Sequence, residues 1–128
     1  MFHPKNIKTM DFKESTPIYL QIANRICNEI LTGKFPENER IPSVREYAAS
    51  LEVNANTVVR SYDYLQGNEV IFNKRGIGYF VSPGAVSRIL QIRRNLFMTM
   101  QLEEFFKEID VLKISISEIV ELYNKRKK

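Results

Sequence analysis

The chain has 128 residues, of which 44% are hydrophobic, 11% aromatic and 27% charged, with a net charge of +4. That length fits one domain or one small domain with an appendage, and the composition is too apolar for a disordered chain. A single cysteine, Cys27, and a single histidine, His3, exclude an internal disulfide framework and a Cys-rich metal site, so no metal site or cofactor is expected. Apolar runs are short, and the polar start Met1–Asp11 lacks the apolar core of a signal peptide. A cytoplasmic protein with no membrane partner is the expectation. The positive charge is concentrated late: residues 1–83 carry 10 Lys and Arg against 9 Asp and Glu, whereas residues 84–128 carry 9 against 6. This excess permits nucleic-acid binding without arguing for it alone.

Residues 1–16 show no periodicity and read as an N-terminal arm. From Pro17 onward, Ile18, Ile22, Ile26 and Ile30 recur every four residues, with Tyr19, Ala23 and Cys27 alongside. The spacing predicts a helix that Pro17 opens and Gly33 stops, with Cys27 as a small core residue. Phe35 to Pro42 is a connection. Ser43-Val44-Arg45-Glu46 has the pattern of a capping box and opens a short helix to about Glu52, with Val44, Ala48 and Leu51 inward and Arg45 outward. A third helix follows within a few residues, capped by Asn54 or Asn56. Val58, Tyr62 and Leu65 form its inner stripe, Asn56, Thr57 and Arg60 face away, and Gly67-Asn68 ends it.

Two β-prone runs come next, Val70-Ile71-Phe72 and Tyr79-Phe80-Val81. They flank a basic, glycine-containing tip, Asn73 to Gly78. Pro83-Gly84 marks a domain boundary. Beyond it, Val86, Ile89, Leu90, Leu96, Phe97, Met100, Phe105 and Ile109 keep helical spacing for more than six turns. Ser115 to Glu118 opens a last helix with Ile119, Val120 and Tyr123 inward. The basic end, Lys125-Arg126-Lys127-Lys128, reads as a solvated tail.

Helix, short helix, tight turn, third helix and hairpin, in that order, are the parts of a winged helix-turn-helix. The outward chemistry suits DNA. Asn54, Asn56, Thr57 and Arg60 lie at the start of the third helix, Arg45 is on the second, and Lys74, Arg75 and Gly76 are at the hairpin tip. Gly76 apart, these side chains can donate to phosphates and base edges. The competing reading is a set of solubilising surface residues.

Four stretches sharpen the choice: Pro17-Ile18-Tyr19-Leu20-Gln21-Ile22, Ile41-Pro42-Ser43-Val44-Arg45-Glu46, Val53-Asn54-Ala55-Asn56-Thr57-Val58-Val59-Arg60-Ser61-Tyr62 and Gly76-Ile77-Gly78-Tyr79-Phe80-Val81. In this order and spacing, residues 17–82 resemble the DNA-binding domain of the GntR family of bacterial regulators. The resemblance implies that Arg45 contacts a phosphate or base edge and that Asn56 and Thr57 sit at the head of the recognition helix. It implies that Arg60 lies on that helix, on a phosphate or paired with Asp63, and that Arg75 and Gly76 enter a minor groove. Tyr19, Gln21 and Tyr62 read as structural. The chain departs from the family at two places. Glu37-Asn38 stands where Pro-Gly is usual, with Asn able to take a left-handed backbone, and Glu69 stands where Gly is usual, with Gly67-Asn68 able to shift the helix end.

Only about 45 residues follow Pro83, too few to enclose a typical ligand pocket of roughly 300 Å³. This resembles the YtrA-like branch of the family, whose short helical tail makes a dimer. A long helix bearing Ile89, Leu90, Leu96, Phe97, Met100, Phe105 and Ile109 cannot hide them against one short helix, and a second copy would cover them. The expectation is therefore a mainly α fold with a small β-hairpin wing (α+β). Residues 17–83 form the DNA-binding domain and residues 84–128 the dimerisation arm. The chain would bind an inverted-repeat operator as a homodimer and act as a repressor, on the nucleoid when bound. Met98 and Met100 read as packing residues, or as the lining for a small-molecule effector between subunits; control by concentration alone fits equally. The alternative function is a winged-helix protein–protein adaptor without DNA binding. An enzyme is disfavoured: no P-loop, dinucleotide fingerprint or paired-carboxylate motif occurs, and Glu103-Glu104 reads as a solvated helix face.

Overall fold

The computed structural model describes residues 16–126; residues 1–15 of the arm, including His3, and Lys127 and Lys128 of the basic end lie outside them. In chain order the elements are α1 (Ile18–Leu31), α2 (Val44–Leu51), α3 (Ala55–Gly67), β1 (Ile71–Lys74), β2 (Gly78–Val81), α4 (Ala85–Leu96), a π-helical turn (Phe97–Gln101), α5 (Leu102–Leu112) and α6 (Ile116–Arg126). Two compact units divide at Ile89 and Leu90, inside α4. The sequence pattern places its boundary earlier, at Pro83-Gly84, so the opening of α4 belongs with the N-terminal unit.

In that unit, α1 buries Ile22, Ala23, Ile26, Cys27 and Ile30. Ile18, first of the series, stays 55% exposed. The α2 capping box forms in both directions: Glu46 N–H donates to Ser43 Oγ at 3.1 Å, and Ser43 N–H to Glu46 Oε1 at 2.9 Å. The inner face of α2 differs from the expected stripe. Tyr47 and Ala48 are buried, while Val44 and Leu51 are only half-buried. Tyr47 can enter the core because its hydroxyl finds a partner there, donating to Glu29 Oε1 at 2.9 Å. Its ring lies among Phe35 and Tyr62. Burial and the Glu29 carboxylate push the Tyr47 phenol well above its ordinary range.

α3 buries Val58, Ser61, Tyr62 and Leu65 and packs against α1, α2 and β1. The Tyr62 hydroxyl donates to the Pro42 carbonyl at 2.6 Å, tying α3 to the segment before α2. Three helices are followed within two residues by a left-handed residue that is not glycine: Glu52 (φ 57), Glu69 (φ 62) and Lys113 (φ 60). Each end is closed by paired backbone bonds. At α3 these run from Glu69 N–H to Gln66 O at 3.0 Å and from Val70 N–H to Leu65 O at 2.9 Å. As expected, α3 ends at Gly67 with Asn68 as its cap, and Glu69 beyond it takes the left-handed backbone that glycine usually serves. The two bonds that close α3 go with the left-handed conformation at position 69. Asn38 does take the expected left-handed backbone, at φ 71.

The wing pairs β1 with β2 antiparallel, Ile71 opposite Val81 and Lys74 opposite Gly78. The loop before α2 adds a third edge: Ile41 N–H donates to Tyr79 O at 2.9 Å and Val81 N–H to Glu39 O at 3.0 Å, with Arg40 bridging to Phe80. Val70, Ile71, Val81, Ala85 and Ile89 complete the core of this unit.

In the C-terminal unit the helix runs on from Leu90 through the π-helical turn into α5, so the long helical pattern forms with a wider turn in its middle. Thr99 Oγ1 bonds back to Asn95 O at 2.8 Å beside it, a contact that commonly bends helices. Ile109 is buried. In α6, Val120 and Tyr123, expected to face inward, are about half exposed, and Ile119 is half-buried. An 11-residue helix lacks the surface to cover the long one and itself at once.

Candidate nucleic-acid interface

α2 and α3 are joined by the short segment 52–54, so their first turns carry the helix-turn-helix face. Arg45 is exposed on the opening turn of α2. Beside it, the Glu46 carboxyl is held below its ordinary range by the Ser43 N–H and hydroxyl, with Arg40 adding to the effect. This acid is thereby committed to the helix start. Asn54 Oδ1 accepts the Asn56 N–H at 2.7 Å, so Asn54, rather than Asn56, caps α3. Asn56 is left exposed and Thr57 half-buried. Arg60 is exposed, and its guanidinium lies over the Tyr19 ring, 4.2 Å from the centroid.

On the wing, the Lys74 ammonium sits 4.9 Å from the Phe80 ring centroid, and Phe80 stacks on Phe72 at 5.7 Å. Arg75 and Gly76 form the turn, which Ile77 N–H closes onto Lys74 O at 2.8 Å. Gly76 has φ +78, and a Cβ there would meet nothing within 4 Å. The left-handed angle favours glycine, and the space beside it is open.

The sequence-derived DNA residues thus all belong to one unit and, apart from half-buried Thr57, are all exposed. Together they offer guanidinium, ammonium and amide donors of the kind that phosphates and base edges accept. Sequence reasoning missed two features of this unit. One is the Tyr19 platform beneath Arg60, between residues 41 positions apart. The other is Glu37, whose carboxylate accepts the Gly84 N–H at 2.8 Å and the Val86 N–H at 3.0 Å, capping α4 from 47 residues away. No local pattern signals either.

Of the expected dimer residues, Leu90, Leu96, Phe97, Met100 and Phe105 are exposed by 39–60%. Ile89 and Ile109 are corrected: at 1% and 5% exposure they are already covered within a single chain and have no free surface to offer a partner. Phe106 is exposed alongside Phe105, as are Val111, Leu112, Ile116 and Leu122, the last four not among the residues that the sequence reading assigned to the contact. Among the described residues, no helix is long and apolar enough to cross a membrane, and no cluster of His, Cys, Asp or Glu is grouped to hold a metal.

Comparison with known proteins agrees with this geometry. The sequence profile of the bacterial regulatory proteins of the gntR family matches residues 18–81. The uncharacterized HTH-type transcriptional regulator YhcF of Bacillus subtilis is 32% identical over 110 residues, covering 86% of this chain and 89% of that protein. The HTH-type transcriptional repressor YtrA of the same organism is 34% identical over 82 residues, 64% of this chain and 63% of its own. A crystal structure of a putative transcriptional regulator of the GntR family from Bacteroides thetaiotaomicron shares 53% identity with a TM-score of 0.76, covering 85% of this chain and 95% of that one. With its helix-turn-helix and wing in place and these relatives along most of its length, the chain belongs to the GntR family, in its YtrA-like branch, and is a DNA-binding transcription regulator.

Proposed function

We propose that this regulator is a repressor that acts in the cytoplasm as a homodimer on an inverted-repeat operator. The observation that carries the reading is the exposed donor set Arg45, Asn56, Arg60, Lys74 and Arg75, spread over α2, α3 and the wing of one unit. In this reading α3 enters the major groove with Asn56, Thr57 and Arg60 at base edges and phosphates, and Arg45 contacts the same groove from α2. Arg75 and Gly76 follow a minor groove, with Lys74 on its phosphates. Asn54 serves DNA binding by fixing the first turn of α3.

Residues 90–126 supply the dimer contact through Leu90, Leu96, Phe97, Met100 and Phe105, with Phe106 and the exposed residues of α6 adding area. A single copy leaves these side chains in water, and a two-fold partner removes them from it. Repression is supported by YtrA, which carries that description.

Selection of bound duplexes from a randomised library tests the proposal. Enrichment of an inverted repeat that binds two chains per duplex is expected. Enrichment of nothing, or of a single unrepeated site bound by one chain, would contradict it.

A further inference from the structure

The Arg60 guanidinium does not project freely from α3. Its carbon lies 4.2 Å from the Tyr19 ring centroid, the distance of a cation–π stack, and a planar guanidinium favours such a face. Tyr19 is itself fixed by α3 from two sides. Its ring meets Tyr64 edge-on at 6.4 Å and 71°, and its carbonyl accepts from Ser61 Oγ at 2.7 Å, a hydroxyl on a fully buried residue. Arg60, Ser61 and Tyr64, within little more than one turn of α3, all converge on this residue of α1.

A free arginine samples many rotamers and surrenders that freedom when it grips a phosphate or a base edge. A guanidinium stacked on a fixed ring has already surrendered most of it. A face-on contact uses only the flat face of a guanidinium, whose five N–H donors lie in its plane. They stay available for the bidentate contacts that guanine and phosphate accept.

We propose that Tyr19 is a positioning residue for DNA recognition, its ring pre-setting the Arg60 guanidinium in the orientation that meets the DNA. The proposal rests on the assignment of Arg60 to the DNA face made above. A tyrosine that served only the packing of α1 on α3 would act on stability and not through Arg60, and the two roles separate in a double-mutant cycle.

The test measures the affinity of the full chain for its selected duplex. Four variants are used: Tyr19→Leu, Tyr19→Phe, Arg60→Ala and the double variant Tyr19→Leu/Arg60→Ala. Tyr19→Leu is expected to weaken binding about two- to fivefold. Tyr19→Phe, which keeps the ring, should bind like the native chain, and Tyr19→Leu should add nothing once Arg60 is alanine. Unchanged affinity in Tyr19→Leu, or an equal loss with and without Arg60, would overturn the proposal while leaving Arg60 a DNA contact. Unchanged affinity in Arg60→Ala would overturn it together with the assignment beneath it. Should Tyr19→Leu fail to fold, the Arg60 Nε–H proton resonance of the native chain decides instead. A ring-current displacement that persists in Tyr19→Phe is expected, and its absence in the native chain would overturn the proposal.

Discussion

Glu37 caps a helix that begins 48 residues later: its carboxylate accepts the backbone N–H of Gly84 at 2.8 Å, and that of Val86 at 3.0 Å. Unsatisfied amides at a helix start favour an anion, and here the anion comes from the loop that precedes α2. Both bonds favour the ionised carboxylate and hold its pKa below the ordinary 4.5. The stabilisation is complete at neutral pH and disappears as the pH falls through the lowered value. Glu37→Gln should therefore melt below the native chain at neutral pH, with the gap closing on acidification. Glu46, shifted in the same direction, leaves the native chain with some acid sensitivity of its own. Thermal melts across the acid range check this, and a gap that stays constant with pH would contradict it.

The left-handed non-glycine residues make the opposite kind of prediction. A side chain in that region costs about 1–2 kcal/mol, and glycine returns roughly 0.5–1 kcal/mol of that through a more flexible unfolded chain. Glu52→Gly should thus stabilise the protein by about 0.5–1 kcal/mol in denaturant unfolding. Glu69→Gly should gain less, because it also removes the exposed 3.0 Å pair with Arg88.

Tyr62→Phe should destabilise by about 1–2 kcal/mol. It deletes the 2.6 Å bond to the Pro42 carbonyl and leaves that acceptor without its donor beside a ring only 1% exposed. Equilibrium unfolding measures it, with a change in midpoint and no change in slope expected.

The C-terminal unit should control assembly. Phe97→Asp and Phe105→Asp place a charge where the proposed two-fold contact excludes water, which it resists strongly. Sedimentation at micromolar concentration should show dimers for the native chain and monomers for the variants, with the N-terminal unit still folded. A native chain that is monomeric there, or variants that remain dimeric, would count against the proposed contact.

What could be read in advance follows from the range of the interactions. The isoleucine series of α1, the Ser43–Glu46 capping box and the Asn54 cap act within one or two turns, so a local pattern reveals them. The inner face of α2 departs from its local pattern because Tyr47 depends on Glu29, 18 residues earlier. The Tyr19–Arg60 stack and the Glu37 cap join positions far apart in the chain, and nothing near either end marks them. Ile89 and Ile109 share their helical spacing with the exposed Leu90 and Phe105. Periodicity identified an apolar stripe but could not say which of its members a single chain already covers. The π-helical turn at Phe97–Gln101 shifts that stripe part-way along, which a uniform helical count does not anticipate.

The central claim, that the face of α2, α3 and the wing reads DNA, is tested most directly by titrating the selected duplex with native, Arg45→Ala and Lys74→Ala/Arg75→Ala chains at several salt concentrations. Native binding should weaken steeply with salt. Arg45→Ala should lose about 1–3 kcal/mol together with sequence discrimination if it reads a base, and the wing variant should bind all sequences more weakly with a salt slope lowered by about 1–2. Salt-insensitive binding, or variants indistinguishable from the native chain, would contradict the claim.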